Sequence, residues 1–145
     1  MDDVDAFLAE VLPRLTTAVR ALHRGDAASW MAAWADSEPI SVFGARFTGR
    51  GRTAAATVAG RLAPRFSGPE SCDYEVVAAG VSGDLGYLAG MERTTLTVAG
   101  EPTTQALRVT TVFRREDGEW KVVHRHGDAL AADFGTVVGQ LEPSG

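Results

Sequence analysis

The 145-residue chain holds one cysteine, Cys72, and one lysine, Lys121. A lone thiol forms no intramolecular disulfide, so no disulfide framework holds this fold. With no basic partner identifiable, Cys72 reads as a buried or edge thiol rather than a nucleophile. Positive charge is scarce as well: 14 Lys and Arg stand against 19 Asp and Glu, a net charge of −5. Binding along a phosphate backbone requires clustered cations, so this balance argues against a nucleic-acid partner. No apolar run approaches the ~20 residues of a membrane span, and no membrane partner is expected. The start, Met1-Asp2-Asp3-Val4-Asp5, is acidic where a signal peptide is basic, which leads to the expectation of a cytoplasmic protein. The near absence of lysine beside plentiful arginine, alanine and glycine fits a GC-rich bacterial genome.

What is present suits one domain over residues 1–145, with 45% hydrophobic residues and no repeat, linker or low-complexity block. Val4, Phe7, Leu8, Val11, Leu12, Leu15, Val19 and Leu22 recur at helical spacing, so a long first helix buries one face. Pro13 falls inside that pattern and is expected to kink or divide it. Gly25 stops it, and Asp26 caps a shorter helix carrying Trp30, Met31 and Trp34. Pro39–Phe43 reads as a short strand with a return near Arg46–Thr48, and a third helix spans about 53–62 before Pro64. Beyond Pro69 the character changes. Residues 73–79, 85–98, 103–115 and 119–127 are β-rich runs joined by turns too short for crossover helices, which predicts an antiparallel meander. Helices followed by a long curved antiparallel sheet make an α+β domain. A twisted sheet wrapped on a helix layer leaves an apolar cone open at one end, a natural ligand site.

The chemistry concentrates in the last hairpin. Asp117-Gly118 is a strong turn signal, and period-2 alternation places Trp120, Val122, His124 and His126 on one face, with Lys121, Val123 and Arg125 on the other. Neutral imidazole near pH 7 serves as acid, base or acceptor, so His124 and His126, with Asp128 just beyond, are the candidate catalytic residues. The same rings can also be structural or interfacial. A metal needs a third ligand. His23 and Asp128 are the available ones at a spacing that matches no standard zinc pattern, and neither a metal nor a cofactor is expected.

Register decides what joins the histidines. The favoured three-residue loop Glu116-Asp117-Gly118 sets Thr110 opposite His124 and Arg108 opposite His126, so that four polar groups converge. A two-residue turn sets Thr111 and Val109 opposite the histidines instead. The rival pocket face then carries Val109, Thr111, Val123 and Arg125, and the sequence does not say which face is concave. Candidate ligand-binding residues are Trp34 at the cone's mouth, Tyr87, Arg108, Thr110 and Arg125. Gly86, Ala89 and Gly90 make room either for a ligand or for sheet curvature. Gly49-Arg50-Gly51-Arg52-Thr53-Ala54 matches a dinucleotide fingerprint in letters, but no second β-α-β unit follows and the glycines read as a turn.

This order of elements ends in Asp117-Gly118-x-Trp120-x-Val122-Val123-His124-x-His126. Ser82-Gly83-Asp84-Leu85 and Gly25-Asp26 lend weaker support. Over roughly residues 11–128 the chain resembles the NTF2-like superfamily, specifically its SnoaL-like branch. The resemblance implies a cone-shaped α+β barrel, commonly homodimeric. Members isomerise ketosteroids, cyclise polyketides, hydrolyse epoxides, dehydrate, or only bind and assemble, and catalytic members place Asp, His or Tyr inside the cone. Two functions from different classes stay open. One is a pocket protein binding a small, partly apolar molecule, with or without acid/base chemistry of the isomerase, cyclase, hydrolase or dehydratase type; the other is a non-catalytic dimerisation or assembly module whose cone is filled by its own side chains.

Overall fold

The computed structural model describes residues 2–44 and 46–129. Helix α1, Asp3–His23, begins where Asp2 accepts a hydrogen bond from the Asp5 amide at 2.8 Å. It runs through Pro13 as one element, because the hydrogen bond that proline removes would have ended on the carbonyl of Ala9, an exposed residue open to water. The helix closes at Gly25 with paired bonds, Gly25 N–H to Leu22 and Asp26 N–H to Ala21. Asp26 in turn caps α2, Ala27–Met31, by accepting from the Ser29 amide at 3.0 Å. A short hairpin of β1, Ser41–Phe43, and β2, Thr48–Arg50, leads to α3, Arg52–Leu62.

The meander follows as β3, Phe66–Ser82, β4, Leu85–Val98, β5, Glu101–Glu116, and β6, Glu119–Ala129. The strand β3 begins earlier than the sequence suggests and includes Pro69, which an edge strand tolerates because it has no second neighbour to bond. The sheet is open, with order β2-β1-β6-β5-β4-β3. All neighbours are antiparallel except β1 and β6, which run parallel with Ser41 beside His124 and Phe43 beside His126. As expected, the four long strands form one antiparallel array.

The helices cover the concave face. At the closed end the Phe7 ring meets Phe113 and Trp120 edge-on at 5.4 and 5.0 Å. Such aromatic pairs add roughly 0.5–1.5 kcal/mol each beyond the area they bury. On β4 the alternation is clean: Leu88, Glu92, Thr94 and Leu96 point inward and are buried. Gly90 shares that face, and a Cβ there would run first into the Glu75 carbonyl and then into the Tyr74 ring at 2.6 Å, so the missing side chain admits the close approach of β3 rather than a ligand.

Candidate functional site

The last hairpin departs from both expected registers. Asp117 and Gly118 both take positive φ, 51° and 79°, making the two-residue turn whose twist suits a hairpin. Glu116 pairs Glu119, Arg115 pairs Trp120 and Phe113 pairs Val122; then one residue, Val123, has no partner, and Val112 pairs His124. This bulge reverses the phase of β6. Before it Trp120 and Val122 point into the core; beyond it Arg125 and Gly127 point inward and His124, His126 and Asp128 point out. It sits where the neighbour of β6 changes. Val122 exchanges backbone bonds with Ala33 and Ala35, both at 2.9 Å, and β1 takes over from His124 onward.

The expected shared face for Trp120, Val122, His124 and His126 is therefore corrected: the extra residue splits it. Thr110 lies opposite His126 and Arg108 opposite Asp128, so the polar groups do share a face, but outside the cone. Arg108 is paired there with Asp128 at 3.1 Å. His124 Nδ1 lies 2.6 Å from Ser41 Oγ, and the Phe43 ring stands edge-on to both imidazoles at 5.0 and 5.5 Å. Burial, then the neighbouring His126, holds the His124 pKa below the usual histidine range. Tyr87 is exposed on the outer face of β4.

Inside, α1, α2, α3 and the sheet enclose a cavity of about 460 Å³, a volume in the range of small-molecule sites. Of the candidate residues, Trp34 and Arg125 line it; His124, His126, Asp128, Tyr87, Arg108 and Thr110 do not. Its floor is polar. Arg125 forms a two-pronged ion pair with Glu92 at 2.7 and 2.9 Å; the glutamate side chain is 3% exposed and the arginine side chain 12%. The guanidinium also lies 5.1 Å from the Trp30 ring centroid. Burial opposes the Arg125 charge, but Glu92's charge and hydrogen bonds outweigh it and raise the pKa. The pair leaves this floor nearly neutral.

Around Arg125 stand three groups that the sequence does not bring to this site, His23 among them considered only as a metal ligand. His23, on the last turn of α1, is buried against the Phe66 ring at 5.0 Å. Burial lowers its pKa to about 4, with Glu92 opposing and Arg125 assisting, so the ring is neutral at pH 7. Tyr74 is held protonated by burial and then by the Glu92 charge. Glu92 is the third. A signal for His23 exists: Leu15, Val19 and His23 follow one another at i, i+4 on the buried stripe. The Nδ1 of His23, Nε1 of Trp34, OH of Tyr74 and Oγ1 of Thr111 are all buried with no hydrogen-bond partner. Such atoms cost free energy unless something bonds them. His23 and Trp34 line the cavity, with these two nitrogens buried just behind its surface. Among the described residues no cluster of acids, histidines or cysteines is arranged to hold a metal, and no helix is long and apolar enough to cross a membrane.

The SnoaL-like domain family matches residues 11–132. Among solved structures, a protein of the NTF2-like family from Streptomyces avermitilis, provisionally called a dehydratase, is 21% identical, with TM-score 0.71 over 88% of this chain and 99% of that one. A ketosteroid isomerase-like protein from Erwinia carotovora atroseptica is 19% identical, with TM-score 0.70 over 86% and 96%. An NTF2-like superfamily protein from Salmonella enterica is 16% identical, with TM-score 0.72 over 88% and 93%. Among curated proteins, none matches. At these identities the structures speak to the fold alone, which agrees with the helices on an open six-stranded sheet. The chain belongs to the SnoaL-like family of the NTF2-like superfamily.

Proposed function

We propose that this protein binds a small, partly apolar molecule inside the cone, with a neutral oxygen- or nitrogen-bearing group set against the floor. One observation carries the reading: a mostly apolar cavity of about 460 Å³ walled in part by the rings of His23 and Trp34, each with a partnerless nitrogen just behind the surface that a turn of the ring would present to an occupant. Because Glu92 already neutralises Arg125, the floor favours a carbonyl or hydroxyl over a charged group. Trp34 donates to that group. Neutral His23 accepts from it, or takes a proton from a carbon or oxygen acid held beside it, the step that isomerase and dehydratase chemistry requires. The acid/base role falls to His23 in preference to His124, His126 and Asp128, which face away from the bound molecule. The ligand-binding role stays with Trp34 and Arg125. Support for an enzyme of this kind comes from the similarity to proteins called isomerase-like and dehydratase.

The test is a thermal-shift screen of neutral ketones and alcohols on the parent protein, with Trp34→Phe and His23→Gln as controls. Hits should bind roughly threefold to tenfold more weakly to the Trp34→Phe protein, the worth of one hydrogen bond. Equal binding to the parent and both variants would remove the floor from the site. A filled, non-catalytic assembly module predicts no hits at all.

We also infer a cytoplasmic homodimer. Val77, Leu85 and Tyr87 are exposed on β3 and β4, and two-fold pairing is the commonest way to cover such a surface. Light scattering that gives the monomer mass at micromolar concentration would refute the dimer.

A further inference from the structure

The charge around the cavity is lopsided. Its wall contains three arginines, Arg46, Arg65 and Arg125, and no aspartate or glutamate. Arg125 is accounted for by Glu92 at the floor. The other two are exposed, and among the described residues neither has an acidic partner within ion-pair distance. They approach the opening from separate elements. Arg46 lies in the loop between β1 and β2, and Arg65 ends the turn Ala63–Arg65 after α3, where its carbonyl accepts from the Ala99 amide at 2.7 Å. The same wall includes the apolar Phe47, Leu62, Phe66 and Leu107.

We propose that the mouth of the cavity selects ligands that end in an anion: an apolar body inside, and a carboxylate or phosphate held by Arg46 and Arg65 at the opening. This rests on the reading of the cone as a ligand site and adds the charge of the ligand to it. The chain as a whole is acidic, with net charge −5, so its long-range field does not draw anions in. Attraction arises only within a few ångströms of the two guanidinium groups, where Coulomb energy rises as distance falls and salt screens it least. Arginine matches both oxyanion geometries through paired N–H donors. The floor is neutral and the mouth positive, which fixes the direction of entry: uncharged end first.

The experiment uses probes that differ only at one end: decanoate, decyl phosphate, the neutral isostere decanamide, and decylammonium. Binding is followed through the fluorescence of Trp30 and Trp34, which wall the cavity. At low salt either anion should bind about tenfold more tightly than decanamide, the sum of two exposed ion pairs. Decylammonium should bind most weakly, and added salt should close the gap. Preference between decanoate and decyl phosphate identifies the head group. In the Arg46→Gln/Arg65→Gln protein decanamide binding should be unchanged and the anion preference lost; both sites are exposed, so a matching melting temperature is expected. If decanamide binds as tightly as the anions, the inference fails while the pocket reading stands. If no probe binds, both fail.

Discussion

The two faces of β6 place similar chemistry in opposite circumstances. Outside, Asp128 meets Arg108 with both side chains substantially exposed, and His126 stands half-exposed beside them. Inside, three positions back along β6, Arg125 meets Glu92 with almost no water. An exposed pair competes with hydration and is worth little, whereas a buried pair is costly to assemble and far more costly to break. The outer cluster is thus ordinary protein surface, and the inner one is a fixed feature around which the cavity is built.

The sharpest way to break this contrast is to remove one partner on each face. Glu92→Ala leaves Arg125 charged and buried, and should cost about 3–5 kcal/mol in chemical denaturation; Asp128→Ala should cost under about 1 kcal/mol. Comparable losses would mean that water reaches the inner pair.

The next largest effect is one of pH. His23 has its pKa lowered from 6.5 to about 4, so above pH 6.5 its ring is neutral in both folded and unfolded chains and contributes nothing to pH dependence. As pH falls from 6.5 towards 4, the unfolded chain takes up a proton that the folded chain refuses, and stability declines by roughly 3 kcal/mol. His124, also lowered, acts in the same direction. Against the parent protein, His23→Gln should flatten the stability curve between pH 6.5 and 4. A curve parallel to the parent's would show that the ring is hydrated.

Two smaller substitutions compare neighbours on opposite faces. Thr111 is fully buried with an unpartnered hydroxyl, whereas Thr110 faces out. Thr111→Val should raise stability by about 1–2 kcal/mol, since it removes an uncompensated polar group at constant shape. Thr110→Val should change it by less than about 0.5 kcal/mol. His126→Ala should also stay within about 0.5 kcal/mol and leave cavity binding unchanged. Loss of binding in that protein would return the site to the outer face.

Much of the fold was legible because its signals are local. Asp26 as a cap, Gly25 as a stop, and Ser82-Gly83-Asp84 and Asp117-Gly118 as turns each act within a few residues. The candidate site was not legible, because one residue decides it. Val122 and Val123 are chemically identical, and nothing in their order says which of them the ladder omits. That omission sends Arg125 inward and both histidines out. Glu92 alternates with Leu88, Thr94 and Leu96, so its burial was implied by face, but a buried acid becomes plausible only once a cation is placed beside it. The parallel contact of β1 with β6 was likewise hidden, since no periodicity links segments so distant.

That contact bears on how the chain reaches this structure. Ser41 and His124 are 83 positions apart, whereas the strands of the meander follow one another through turns of a few residues. Local hairpins close at small entropic expense on microsecond timescales; joining β1 to β6 restricts most of the chain at once. The ordering that follows is a preformed meander onto which the first third of the molecule docks. The cavity, walled by residues from both parts, comes into existence only at that final closure.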